Sequence, residues 1–208
     1  MEISLVKQWI DIHSEEGQRF AGFPDSCYAL YDPADHPVFD PYDWGQKKGG
    51  ANCLAYVLQA PGEVLNPGFI VRPADPGKDR LRDVYNRASA DSPSVTMTEF
   101  RSCVYEGLEQ DGLIRVGGSS LYRPGHYLIA LCFVDIPLRH HKDFHFLVLN
   151  SNGRWSEVNG AGGFVSWTDQ HDEPICNPAT ACFNSYTQFD SLYHVPRGGA
   201  AALRQARL

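Results

Sequence analysis

The sequence predicts an α+β domain with N-terminal helices packed on an antiparallel β-meander, and three observations carry that expectation. Apolar residues at helical spacing mark the first half, at Phe100, Cys103, Val104 and Leu108 and in the run that starts at Cys53. Beyond residue 125 the text changes to strand-length apolar runs, Tyr127–Val134 and Phe144–Leu149. The second run leads through Asn150-Ser151-Asn152-Gly153 into Arg154–Val158, which is the signal of a hairpin. Helical patterns that precede the strands, rather than alternate with them, favour α+β over a parallel α/β sheet.

Residues Ile3–Ile12 place Leu5, Trp9 and Ile12 near helical spacing and predict a short amphipathic helix. Between Gly22 and Gly50, Pro24, Pro33, Pro37 and Pro41 interrupt the chain among Tyr28, Tyr31, Phe39, Tyr42 and Trp44. Such a segment is irregular but packed, because aromatics at this density seek burial. Gly49-Gly50 then precede Ala51–Leu58, a helix ended by Pro61-Gly62. Residues 61–93 are rich in Pro, Gly and Asp, with a helical turn around Leu81–Asn86. Thr96-Met97-Thr98-Glu99 is a capping box, and Asp111-Gly112 stops the helix it opens. Short strands are expected at Phe164–Trp167 and Leu192–Val195, and Gly198–Ala202 starts a frayed or weakly helical tail.

With 208 residues the chain has the size of one domain, for which ~100–200 is usual. It divides into an irregular aromatic-rich part (1–48), a helical part (49–112), an antiparallel sheet (125–196) and a tail (197–208). Its net charge of −7 lacks the basic footprint of a nucleic-acid binder and does not suit docking on anionic lipid. The opening MEISLVKQWIDIHSEEG has no signal-peptide core or small-residue cleavage site. No stretch approaches the ~20 apolar residues of a membrane helix. No nucleic acid and no membrane insertion are therefore expected. The location expected is the cytoplasm, or export by a specialised secretion system without a cleaved signal. The oligomeric state stays open, with a monomer favoured.

Six cysteines are present: Cys27, Cys53, Cys103, Cys132, Cys176 and Cys182. Cys103 and Cys132 stand in strongly apolar text and read as buried thiols. A Cys176–Cys182 disulfide requires an oxidising compartment, and a reduced protein is expected. Cys53 differs. It opens a helix behind two glycines and Ala51-Asn52, and a thiol at a helix start can act as a thiolate. Its own N–H would then point outward as an oxyanion donor. The partner base should lie on a rigid element. His145, inside Asp143-Phe144-His145-Phe146-Leu147-Val148-Leu149, is a polar ring in an apolar strand and is the best candidate. Folding the hairpin at Ser151–Gly153 brings Glu157 near the level of His145 on the same face, as the orienting group. Asn150 is the alternative orienter, or a turn residue. Gln46 and Asn52 are candidates for oxyanion support, and Asn52 also suits a helix N-cap.

A Cys at a helix start, a His on a later strand and a polar residue about a dozen positions on resemble the papain-like cysteine peptidases. The spacing is most similar to bacterial cell-wall peptidases of the NlpC type. The resemblance rests on Gly49–Leu58 and Tyr127–Val158. It implies a papain-like fold, a Cys53-His145-Glu157 triad, and hydrolysis of peptide or amide bonds in peptidoglycan or a protein substrate. The missing signal would fit a toxin or effector with an inhibitor or immunity protein as partner. The chain departs from the NlpC pattern in having Asn52-Cys53-Leu54 instead of Asp-Cys-Ser/Gly, and in lacking a glycine after the histidine. Both departures bear on substrate class.

Other readings stand beside this one. Deamidases and acyl transferases use the same three groups, and a non-catalytic module could bind ligand along Tyr28–Trp44 with Cys53 merely buried. His140, His141 and His145 with Cys176 and Cys182 suggest zinc, but no Cys-x-x-Cys or His-Glu-x-x-His spacing supports it, so neither metal nor cofactor is expected. His126 is the runner-up base. His171-Asp172 and His194 read as surface residues, and Gly117-Gly118-Ser119-Ser120 as a turn, since no lysine or helix follows it.

Overall fold

The computed structural model describes residues 32–38, 44, 51–71, 78–90, 92–117, 122–136, 140–151, 153–158, 164–175, 177–179, 181–183 and 187–206. The expected N-terminal helix Ile3–Ile12 and most of the aromatic-rich segment lie outside them, as do Gln46, Cys27 and Cys176. What is described is mixed helix and antiparallel sheet. Helices α1 (Cys53–Val57), α2 (Asp79–Ser89) and α3 (Met97–Gln110) precede the sheet, and α4 (Gly199–Gln205) follows it. The strands are β1 (Ile114–Arg115), β2 (His126–Ile136), β3 (His141–Leu149), β4 (Trp155–Val158), β5 (Val165–Ser166) and β6 (Thr187–Pro196). Their spatial order is β1-β6-β2-β3-β4-β5, and every pairing is antiparallel.

The expected meander is β2 to β5. The last strand departs from it by returning to lie between β1 and β2. Strand β2 is central and buried on both faces, which is why its sequence is a continuous apolar run rather than an alternating one. One face joins the helices in the main core, through Phe144, Phe146, Val148, Ile129 and Leu131. The other face meets Ile175 and Trp155 in a second cluster with Leu128, Ala130, Leu147 and Leu149. A bulge interrupts the β2–β6 ladder at Leu131/Cys132, directly across β2 from the pair Cys132↔His145. Bulges recur beside functional sites because they re-aim side chains.

Helix α2 is longer than the single turn expected. Leu81, Val84, Tyr85 and Ala88 form its buried stripe, and that spacing outweighs the Pro, Gly and Asp around it. At α3 only half of the capping box closes. The Thr96 hydroxyl accepts from Glu99 N at 3.1 Å, while the Glu99 carboxylate pairs with Arg87 at 3.4 Å. The expected apolar face, Phe100, Cys103, Val104 and Leu108, is buried. Gly107 is buried with it, because a Cβ there would lie 2.5 Å from the Pro67 carbonyl carbon.

Of the two readings of the tail, frayed or weakly helical, the structure shows the helical one: residues 199–205 are a docked helix. Ala200 and Leu203 are buried, and Ala200 N donates to Leu58 O at 2.9 Å. The positive φ of Gly199 permits that approach, since a Cβ would meet Leu58 O at 2.1 Å. Arg204 then grips Glu63 through two nitrogens and donates to Ile70 O at 3.0 Å. His194 is corrected. It is buried on β6 rather than at the surface, and burial pushes its imidazole down to about 4. No helix among the described residues is long and apolar enough to cross a membrane.

Candidate active site

Asn52 builds the start of α1. It is extended, and its Oδ1 accepts from Ala55 N at 3.1 Å, as an N-cap should. The same oxygen accepts from Leu65 N, and Nδ2 donates to Leu65 O at 2.7 Å. The amide thus ties the helix start to the 65 loop, and these bonds are those of a brace. Cys53 follows as the first helical residue, a position whose N–H has no intrahelical acceptor.

Strand β4 pairs with β3 only over Leu147, Val148 and Leu149. The first half of β3 therefore has no β4 partner among the described residues, and α1 begins at that edge. Cys53 Sγ donates to the Phe144 carbonyl at 3.9 Å. The next residue, His145, shares its face of β3 with Leu147, and Leu147 pairs with Glu157. Glu157 is thus the diagonal neighbour of His145, and diagonal pairs ~7–8 Å apart at Cα are within reach of long side chains. His145 Nε2 donates to Glu157 Oε2, the carboxylate being an acceptor only. With Nε2 committed to Glu157, the ring also feels the neighbouring Cys53 thiol, which helps to hold its proton.

The three side chains are close to buried, His145 and Glu157 at 12 % and 10 % exposure and Cys53 at 7 %. Burial alone would push the His145 imidazole down. The hydrogen bonds to Cys53 and Glu157, and their charges, instead raise it from 6.5 to about 10. The protonated ring is therefore favoured at neutral pH. An imidazolium beside a thiol is the arrangement that makes the sulfur nucleophilic. Phe183 packs beside the ring at a tilt, with centroids 6.0 Å apart. The group opens into a cleft of about 750 Å³, a volume suited to a ligand site. Tyr85 and Phe100 from the helices and Ser166 and Thr168 from the sheet region line it.

Cys53, His145 and Glu157 are thus brought together, with Asn52 beside them. Asn150 is not at the ring. Its Nδ2 donates to Arg154 O and to Ser156 Oγ, both at 2.8 Å, inside the hairpin. His126 does not line the cleft and bonds Pro124 O and Arg123 at the start of β2. Cys103 and Cys132 are fully buried, and burial pushes both thiols up. Cys182 is a partly exposed free thiol. No group of three or more His, Cys, Asp or Glu among the described residues could hold a metal ion. Sequence reasoning missed Asp143, which lines the cleft on the His145 face. Burial lifts its carboxyl although it accepts from Phe144 N at 2.8 Å. The two-residue spacing from His145 was the available signal.

Followed by NMR, the His145 ring should lose its proton near pH 10, and Glu157→Gln should move that midpoint down toward 6.5. The sign follows from the charge: removing a carboxylate removes support for the cation. A parent midpoint at 6.5 would contradict the proposed pairing.

Comparisons of the chain with protein-family models, with curated proteins and with solved structures gave no match.

Proposed function

We propose that the chain is a cysteine hydrolase of peptide or amide bonds with a papain-like catalytic arrangement, as its resemblance to NlpC-type peptidases implies. The observation that carries this reading is the His145–Glu157 pair with Cys53 beside it at the wall of one cleft. A buried Cys, His and Glu joined in that order are the parts of a nucleophile, a base and its orienter. The Cys53 sulfur attacks the carbonyl carbon, and the Cys53 N–H receives the developing oxyanion. His145 gives its proton to the leaving amine, forming a thioester on Cys53. It then takes a proton from water, which attacks the thioester and frees the thiol. Glu157 holds the ring in one orientation and supports its positive charge. Substrates of this class are a peptide, a protein or peptidoglycan. A toxin or effector held in check by an immunity protein is the biological setting proposed.

Incubation of the protein with peptide mixtures and with peptidoglycan, read by mass spectrometry, tests this reading. New termini or released stem peptides, absent with Cys53→Ala, are the expected result. Glutamine converted to glutamate without chain cleavage would assign deamidation to the same triad. Products that persist in Cys53→Ala would overturn the mechanism.

A further inference from the structure

Helix α1 is five residues long, too short to hold a fixed position by its own hydrogen bonds. Most of its contacts are apolar and non-directional. Something directional must set where Cys53 stands relative to the strand that carries Glu157. Tyr56, one turn beyond Cys53, supplies it. Its hydroxyl bonds Ser156 Oγ at 2.6 Å, and Ser156 directly precedes Glu157. Asn150 Nδ2 donates to the same Ser156 oxygen at 2.8 Å and to the carbonyl of Arg154. Ser156 and Asn150 are 0 % and 1 % exposed, so these polar groups have no water to replace one another. The Tyr56 ring also packs edge-to-face with Trp44, with centroids 4.9 Å apart at 73°.

We infer that Tyr56, Ser156 and Asn150 are positioning residues, a buried hydrogen-bonded strut that fixes the nucleophile helix against the strand of the orienting carboxylate. The inference deepens the cysteine-hydrolase reading and rests on it. Asn150 thereby acts on the site through Ser156 instead of touching the imidazole. The strut matters because the Cys53–His145 contact tolerates little error, a displacement of ~1 Å costing ~10²-fold in rate.

The test compares iodoacetamide labelling of Cys53 and Cys182 between pH 5 and 10, with the His145 ring titration, in the parent protein, Tyr56→Phe, Ser156→Ala and Ser156→Thr. Tyr56→Phe removes one oxygen and keeps the ring against Trp44. Cys53 labelling at pH 7 should fall about tenfold in Tyr56→Phe and Ser156→Ala, with Cys182 unchanged. The His145 midpoint should move down in both. Ser156→Thr, which keeps a hydroxyl, should recover most of the loss. A role in stability alone would lower Tm and leave the Cys53 pH profile in place, and that result overturns the strut. If Tyr56→Phe does not fold, the Ser156 pair decides: recovery by Thr supports the inference, and equal rates in Ala and Thr overturn it. Parent Cys53 that reacts no faster than Cys182 would instead overturn the hydrolase reading itself.

Discussion

Exchange of Cys53 for alanine is expected to lower amide turnover by about 10⁴-fold or more, with CD spectrum and Tm close to those of the parent protein. The sulfur is the only atom lost, and its one described backbone contact is the weak bond to Phe144 O at 3.9 Å. His145→Ala should abolish turnover to a similar degree, because in the proposed mechanism the same ring serves as base and as acid. Its effect on folding differs. Glu157 would remain in the interior without the ring that now donates to it, and an unpaired buried charge is costly. His145→Gln keeps a donor near Glu157 and should therefore melt closer to the parent than His145→Ala, while being equally inactive. Turnover assays and thermal melts of the three variants check both statements.

The largest loss of stability is expected far from the sulfur, at Asp111. This residue ends α3 and is fully buried. Its carboxylate accepts from the backbone of Gly68, from Ile70 N at 3.3 Å and from Val71 N at 3.2 Å. Lys78 Nζ stands 3.9 Å away and donates to the Gly68 carbonyl. One side chain thus satisfies the 68–71 loop that lies over α3, and that loop also receives Arg204 from α4. Asp111→Ala would strand three N–H groups and an ammonium in the interior, at a cost of about 3–5 kcal/mol. Urea titration should show that loss, and Tm should fall by about 10 °C. An unchanged urea midpoint would contradict the bracing role.

The parts of the site that were legible in the sequence follow local rules. A polar ring in an apolar strand, a hairpin with Asn and Gly, and the two-residue period together bring His145 and Glu157 to one face. Asn52 could be read as a cap because its side chain bonds within three residues. What was not legible depends on contacts distant in sequence. The return of β6 between β1 and β2 leaves no local mark, since pairing chooses its place. The Gly-Gly-Ala run near the C-terminus reads as weak helix. Its docking on Leu58 and the Arg204–Glu63 pair supply what propensity does not. Asp111 reads as a stop signal, and only the fold places a loop over its carboxylate. Ser156 is a small polar residue in a strand, unremarkable until Tyr56 is found against it.

The claim that Cys53 is the nucleophile has one most direct measurement: pH 7 iodoacetamide labelling of the native protein, with every cysteine mapped and timed by mass spectrometry. Cys182 is the informative comparator, because Cys103 and Cys132 are shut in the core. Cys53, although only 7 % exposed, should react at least about tenfold faster than Cys182. A Cys53 rate equal to or below that of Cys182 would contradict a catalytic role for Cys53.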